Sequence, residues 1–154
     1  MSLVLLAAIV LALVLIALLG SQQAGTRYVR RPLLTQTELR FFRQLRAAVP
    51  EGLFICPQVG MAAAMEARGG NGKALLAAFR RISQKRIDFC ICDAALEPKY
   101  VVELDYHTHD PARDRARDDM LLQAGIRTLR FDVRRLPTAA ELQVRLRQAH
   151  QEGR

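Results

Sequence analysis

The chain opens with an unbroken apolar run, Ser2–Leu19, that contains neither charge nor proline. Beyond it the pattern becomes periodic. Leu34, Leu39, Phe41, Phe42, Leu45 and Val49 recur at helical spacing, which predicts an amphipathic helix over Leu34–Val49. Thr35-Gln36-Thr37-Glu38 has the form of a capping box at its start, and Pro50-Glu51-Gly52 ends it. Leu53–Val59 is short, apolar and β-inclined, a strand with Pro57 at an edge or bulge. Met61–Ser83 is alanine-rich and broken by Gly69-Gly70-Asn71-Gly72, which predicts two short helical pieces around a turn. In Arg86–Asp93 the residues alternate, with Ile87, Phe89 and Ile91 on one face and Asp88, Cys90 and Cys92 on the other. Tyr100–Asp105 is the next strand. Ala112–Ala124 reads as a charged helix stopped by Gly125, and Arg127–Val133 as a further strand. Pro137 and the box Thr138-Ala139-Ala140-Glu141 introduce a last basic helix to about His150. The order α, β, (α), β, β, α, β, α calls for a mixed sheet with flanking helices.

Composition then separates two regions. The chain has 154 residues and a formal charge of +8, and none of the charge lies before Arg27. Nearly every cation is arginine, the lysines being Lys73, Lys85 and Lys99. This excludes an acidic, disordered chain. Cys56, Cys90 and Cys92 form no CxxC and no even set, which excludes a disulfide scaffold and predicts reduced, mostly buried thiols. As a helix, Ser2–Leu19 would rise about 27 Å, close to the roughly 30 Å of a bilayer core. Arg27, Arg30 and Arg31 follow it, so the positive-inside rule predicts a single-pass inner-membrane anchor, N-terminus out and domain in the cytoplasm, ahead of the competing reading as a cleaved signal peptide, which would want positive charge before the apolar run. The expected layout is an anchor over 1–20, a basic linker over 21–32 and one α/β domain over 33–150.

Candidate chemistry gathers in the middle of the chain. Glu103 and Asp105 are two apart on one strand and share a face. If the neighbouring strand pairs antiparallel with Ile91 opposite Val102, Asp88 lies opposite Asp105 and one diagonal step from Glu103. Three carboxylates would then meet, an arrangement that asks for a cation, because like charges across a ladder repel. The alternatives at this stage are an oxygen-bound divalent metal and neutralisation by arginines. His107 and His109 follow as H-x-H, candidates for metal ligation or proton transfer.

These residues carry a resemblance. Ile87-Asp88-Phe89, Val102-Glu103-Leu104-Asp105 with His109, Arg113-Asp114 and Asp118, Ala124-Gly125-Ile126 and Leu129-Arg130-Phe131 resemble the bacterial domain-of-unknown-function 2726 family. Leu33-Leu34-Thr35 with Glu38 and Phe42, and Pro57-Gln58-Val59, fit the same pattern over residues 33–135. That family is similar to the PD-(D/E)XK, restriction-endonuclease-like nucleases, and more closely to their mismatch-patch-repair endonuclease branch. The resemblance implies a restriction-endonuclease-like α/β fold, here preceded by one transmembrane helix. It puts Asp88 in the place of the nuclease aspartate, Glu103 in the acidic place of E-x-K, and Glu38 where many such enzymes keep a helical glutamate. The carbonyl of Leu104 becomes a further metal ligand. The lysine of E-x-K is replaced by Asp105, so His109, Lys85 or Lys99 would have to supply the missing proton carrier or positive charge.

The expected function is that of a membrane-anchored, nuclease-like protein that hydrolyses nucleic-acid phosphodiesters with Mg²⁺ or Mn²⁺ on Asp88, Glu103 and Leu104. Asp88, Glu103, Asp105 and His109 form the catalytic set. Arg113, Arg117 and Arg130 would contact phosphates, with DNA ahead of RNA as the partner. The alternative is an inactive nuclease-fold module that binds nucleic acid or a protein partner at the cytoplasmic membrane face. A third use of the arginines is contact with anionic lipid.

Overall fold

The computed structural model describes residues 3–20, 26–106 and 111–152. The chain divides into two units, Met1–Arg31 and Pro32–Arg154. In the first, α1 runs over Leu3–Gly20, 18 residues. Such a helix rises about 27 Å, less than the roughly 30 Å of the hydrocarbon core. Among the described residues no helix is long and apolar enough to cross a membrane. The expected transmembrane anchor over 1–20, and with it the single-pass inner-membrane location, is therefore overturned. Residues 21–25 of the expected linker lie outside the described residues.

The second unit is a four-stranded mixed sheet with helices on both faces. In chain order it contains α2 (Gln36–Ala48), β1 (Phe54–Gly60), α3 (Met61–Ala64), α4 (Gly72–Ser83), β2 (Arg86–Cys92), β3 (Pro98–Asp105), α5 (Pro111–Gln123), β4 (Arg127–Asp132) and α6 (Ala139–Glu152). The strands lie in the order β1-β2-β3-β4. The first three form an antiparallel meander, and β4 runs parallel to β3 after the crossover through α5.

Local chemistry sets the boundaries. Thr35 caps α2: its hydroxyl accepts from the Glu38 N–H at 3.3 Å, while Glu38 Oε2 accepts from the Thr35 N–H at 2.6 Å. Asn71 caps α4 through Oδ1, which accepts from the Ala74 N–H at 2.9 Å. Thr138 and Glu141 exchange the same reciprocal bonds before α6. Gly125 closes α5 in the left-handed region, φ 76°, where a side chain would be strained.

Two apolar layers clamp the sheet. On one side Phe41, Leu45 and Ala48 of α2 and Leu142, Leu146 and Ala149 of α6 meet Phe89, Ile91, Tyr100, Val102, Leu104 and Phe131. On the other, Met61, Ile82 and Leu121 from α3, α4 and α5 meet Ile87, Cys90, Cys92, Val101 and Ile126. The three cysteines are free thiols, and Cys90 and Cys92 are buried. Ile87 departs from the expected alternation. It belongs with Cys90 and Cys92, not with Phe89 and Ile91. The face changes at Asp88, opposite the one non-regular position of β1: Pro57 pairs with Phe89 and Val59 with Ile87, so Gln58 stands opposite Asp88, and its φ is +56°.

Candidate functional site: a buried carboxylate pair

The end of the sheet where β2 begins and β3 finishes collects the polar residues. The register is Phe89 with Val102, Cys90 with Val101 and Ile91 with Tyr100. Continued by one step, it sets Asp88 opposite Glu103. This corrects the register expected from sequence, which paired Ile91 with Val102 and set Asp88 opposite Asp105. The difference arises in the turn: the bulge between Ile91 and Cys92 and the start of β3 at Pro98 take up residues that the sequence pattern had left in a loop.

Glu103 is 2% exposed, the one charged residue among the buried described residues. Its Oε1 is buried without a hydrogen-bond partner. Burial above all, and then the negative charge of Asp88, push its carboxyl up to about 8 against the pull of Arg117 and Arg130. The two side chains also interact with one another, which lowers the carboxyl of Asp88 and raises that of Glu103. Asp88 is half-buried, and its Oδ2 accepts from the Leu104 N–H at 2.9 Å. Burial raises its carboxyl too, with a smaller push from the charge of Glu38; the Leu104 N–H works in the opposite direction.

Each neighbour is delivered by a separate element. Glu38 sits in the first turn of α2, where one oxygen caps the helix and the other, Oε1, accepts from Gln58 Nε2 at 3.2 Å. The capping reading of Glu38 thus holds through Oε2, while Oε1 ties α2 to β1. From α5, Arg117 Nη2 comes to 3.0 Å from Glu103 Oε2, with 15% of its side chain exposed. Arg130 of β4 is bidentate to Asp118, Nε to Oδ2 at 3.0 Å and Nη2 to Oδ1 at 2.8 Å, and its Nη1 donates to Asp105 Oδ1 at 2.6 Å.

The expected site residues thus fall into two groups. Asp88, Glu103 and Arg117 come together, with the Leu104 backbone against Asp88. Asp105 and Arg130 form an adjacent ion-pair cluster with Asp118, and Asp114 Oδ1 lies 4.0 Å from Arg130 Nη2. Arg113 lies on α5 and its side chain is not among those described; His107 and His109 lie outside the described residues. Among the described residues no group of three His, Cys, Asp or Glu is placed to hold a metal ion, so the expected meeting of three carboxylates is a meeting of two. Lys99 is engaged in the β2–β3 turn, with Nζ 2.7 Å from Asp93 Oδ2. Sequence reasoning put Gln58 on the first strand of the meander, in the run Pro57-Gln58-Val59, but not against Glu38. The only signal was its place after Pro57 on a short strand, and a positive φ leaves no mark in a side-chain pattern.

A family model described as a protein of unknown function (DUF2726) matches residues 30–149. No curated protein and no solved structure matches the chain.

Proposed function

We propose, for a chain that belongs to the DUF2726 family of proteins of unknown function, that the Asp88–Glu103 pair is the centre of a divalent-metal-dependent phosphodiesterase acting on nucleic acid. The observation that carries this reading is the buried, partnerless Oε1 of Glu103 beside a second carboxylate. A buried acceptor without a donor is costly, and two carboxylates in one site repel until a cation arrives. Mg²⁺ or Mn²⁺ suits oxygen donors. Asp88 and Glu103 would hold it, with the Leu104 carbonyl as the third protein oxygen that the PD-(D/E)XK likeness implies. Such an ion neutralises phosphate charge and makes a water easier to deprotonate.

The chain's own residues prepare the site. The Leu104 N–H fixes one oxygen of Asp88 and leaves the other for ligation. Glu38 and Gln58 flank Asp88 from the side of α2 and β1. The reaction adds water across one P–O ester bond: an O–P bond forms, the ester bond breaks with its electron pair on the leaving oxygen, and that oxygen gains a proton. The excess of arginine over acidic residues in a +8 chain supports a polyanionic substrate.

A second reading has its own observation. The position of the nuclease lysine is Asp105, and its carboxylate is bound to Arg130. On that basis the fold binds nucleic acid without cutting it. The experiment separates the two. DNA and RNA oligonucleotides are incubated with the full chain and Mg²⁺ or Mn²⁺, beside Asp88→Asn and Glu103→Gln. Cutting that needs the metal and both carboxylates supports the enzyme, with binding retained in both variants. Salt-sensitive binding without cutting under either metal establishes the binding module, and absence of both rejects the site.

A further inference from the structure

Arg117 is a mostly buried cation that is ion-paired to Glu103 and has two nitrogens without a hydrogen-bond partner. Among the described residues neither Nε nor Nη2 finds an acceptor in line, although Nη2 is 3.0 Å from Glu103 Oε2. A guanidinium remains charged at any working pH, and its N–H groups form a planar fork suited to phosphate oxygens. Leaving two of them partnerless on a side chain that is 15% exposed is unfavourable unless an anionic oxygen completes the arrangement. The helix fixes the position: Leu121, one turn further along α5, is fully buried in the second apolar layer, and residues four apart share a helix face.

Two other cations of the described residues are committed elsewhere. Arg130 is held by Asp118 and Asp105, and Lys99 by Asp93. The lysine that nucleases of the resembled class place two residues after the acidic one is Asp105 here.

We propose that Arg117 takes the part of that missing lysine: Nε–H and Nη2–H donate to a non-bridging oxygen of the scissile phosphodiester and stabilise the negative charge that grows there as the ester bond breaks. This rests on the phosphodiesterase reading of the Asp88–Glu103 pair. Arg117 stays protonated throughout; the attacking water gives a proton to solvent, the leaving oxygen takes one from solvent, and nothing is oxidised or reduced. Charge-matched donors of this kind act in the transition state more than on the bound substrate.

The test uses the full chain with Mn²⁺, cutting a DNA duplex, single-stranded DNA and RNA, with Mn²⁺ binding measured separately by calorimetry. Arg117→Ala is expected to lower kcat by about 10²- to 10³-fold with KM and Mn²⁺ affinity little changed, and added guanidinium to restore part of the rate. Arg117→Lys keeps the charge and retains more activity than Arg117→Gln, a comparison that serves if the alanine variant does not fold. Undiminished cutting by Arg117→Gln overturns the proposal. So does a rate loss that follows a loss of Mn²⁺ binding, which would make Arg117 a support for Glu103, or a loss on Lys85→Ala in place of Arg117. Those results leave the phosphodiesterase reading standing. A parent chain that cuts none of the substrates removes both.

Discussion

At Glu103 the physics of a single carboxyl sets a pH dependence. Its ordinary value is 4.5 and burial beside Asp88 lifts it to about 8 in the folded chain. Between those values the folded state binds more protons than the unfolded one, so stability falls as pH rises. The metal-free protein is expected to be most secure with respect to this group below about pH 4.5 and to lose on the order of 3–5 kcal/mol by the time pH has passed 8. Asp88, also raised, contributes in the same direction. Urea unfolding across that range checks it: Glu103→Gln should flatten the slope, because an amide never ionises. A slope unchanged in the variant would show that the proton is not held at Glu103. Gln58 is the other residue of note at this scale. A left-handed glutamine costs roughly 1–2 kcal/mol, and here it is tied to Glu38 through a partly buried hydrogen bond. The strain lies opposite Asp88, where the sheet changes face.

Elements were more legible than contacts. The capping boxes at Thr35–Glu38 and Thr138–Glu141 fixed two helix starts, and the glycine run 69–72 separated α3 from α4, because these signals are local and carry their own hydrogen bonds. Thr35→Ala is expected to cost about 1 kcal/mol, read as a lower urea midpoint with an unchanged slope. The β2–β3 register was not legible. Alternating apolar residues fit several pairings equally well, and the bulge at Ile91/Cys92 decides among them. Asp88 and Glu103 could be named as partners from their types and order, but not the burial that raises the carboxyl of Glu103. The engagement of Arg130 by Asp105 and Asp118 was likewise hidden, since it joins β3, α5 and β4 across a parallel crossover. At α1 a purely apolar composition suggested a membrane span, and the 18-residue length does not reach across one.

On the scale of the whole unit from Pro32 to Arg154, the three-layer packing explains why one corner is polar. Apolar residues of the two layers flank Asp88 and Glu103 along their strands, and helices from the two faces, α2 and α5, carry Glu38 and Arg117, whose charges both act on Asp88. The sheet is open, and β1 and β4 are its outermost strands. An outer strand presents main-chain donors and acceptors to any other chain that can align with it. β1 has a proline at its centre, opposite Phe89. Proline has no N–H, and its place in a ladder is on the free side of an edge strand. Pro57 therefore interrupts the row of groups by which two molecules could join edge to edge. Pro57→Val, which restores an N–H and a good strand former, should leave the fold intact and make the protein self-associate. Sedimentation velocity would then show an average mass that rises with concentration more steeply than in the parent chain. Equal behaviour of the two would mean that something other than this missing N–H keeps the edge from assembling.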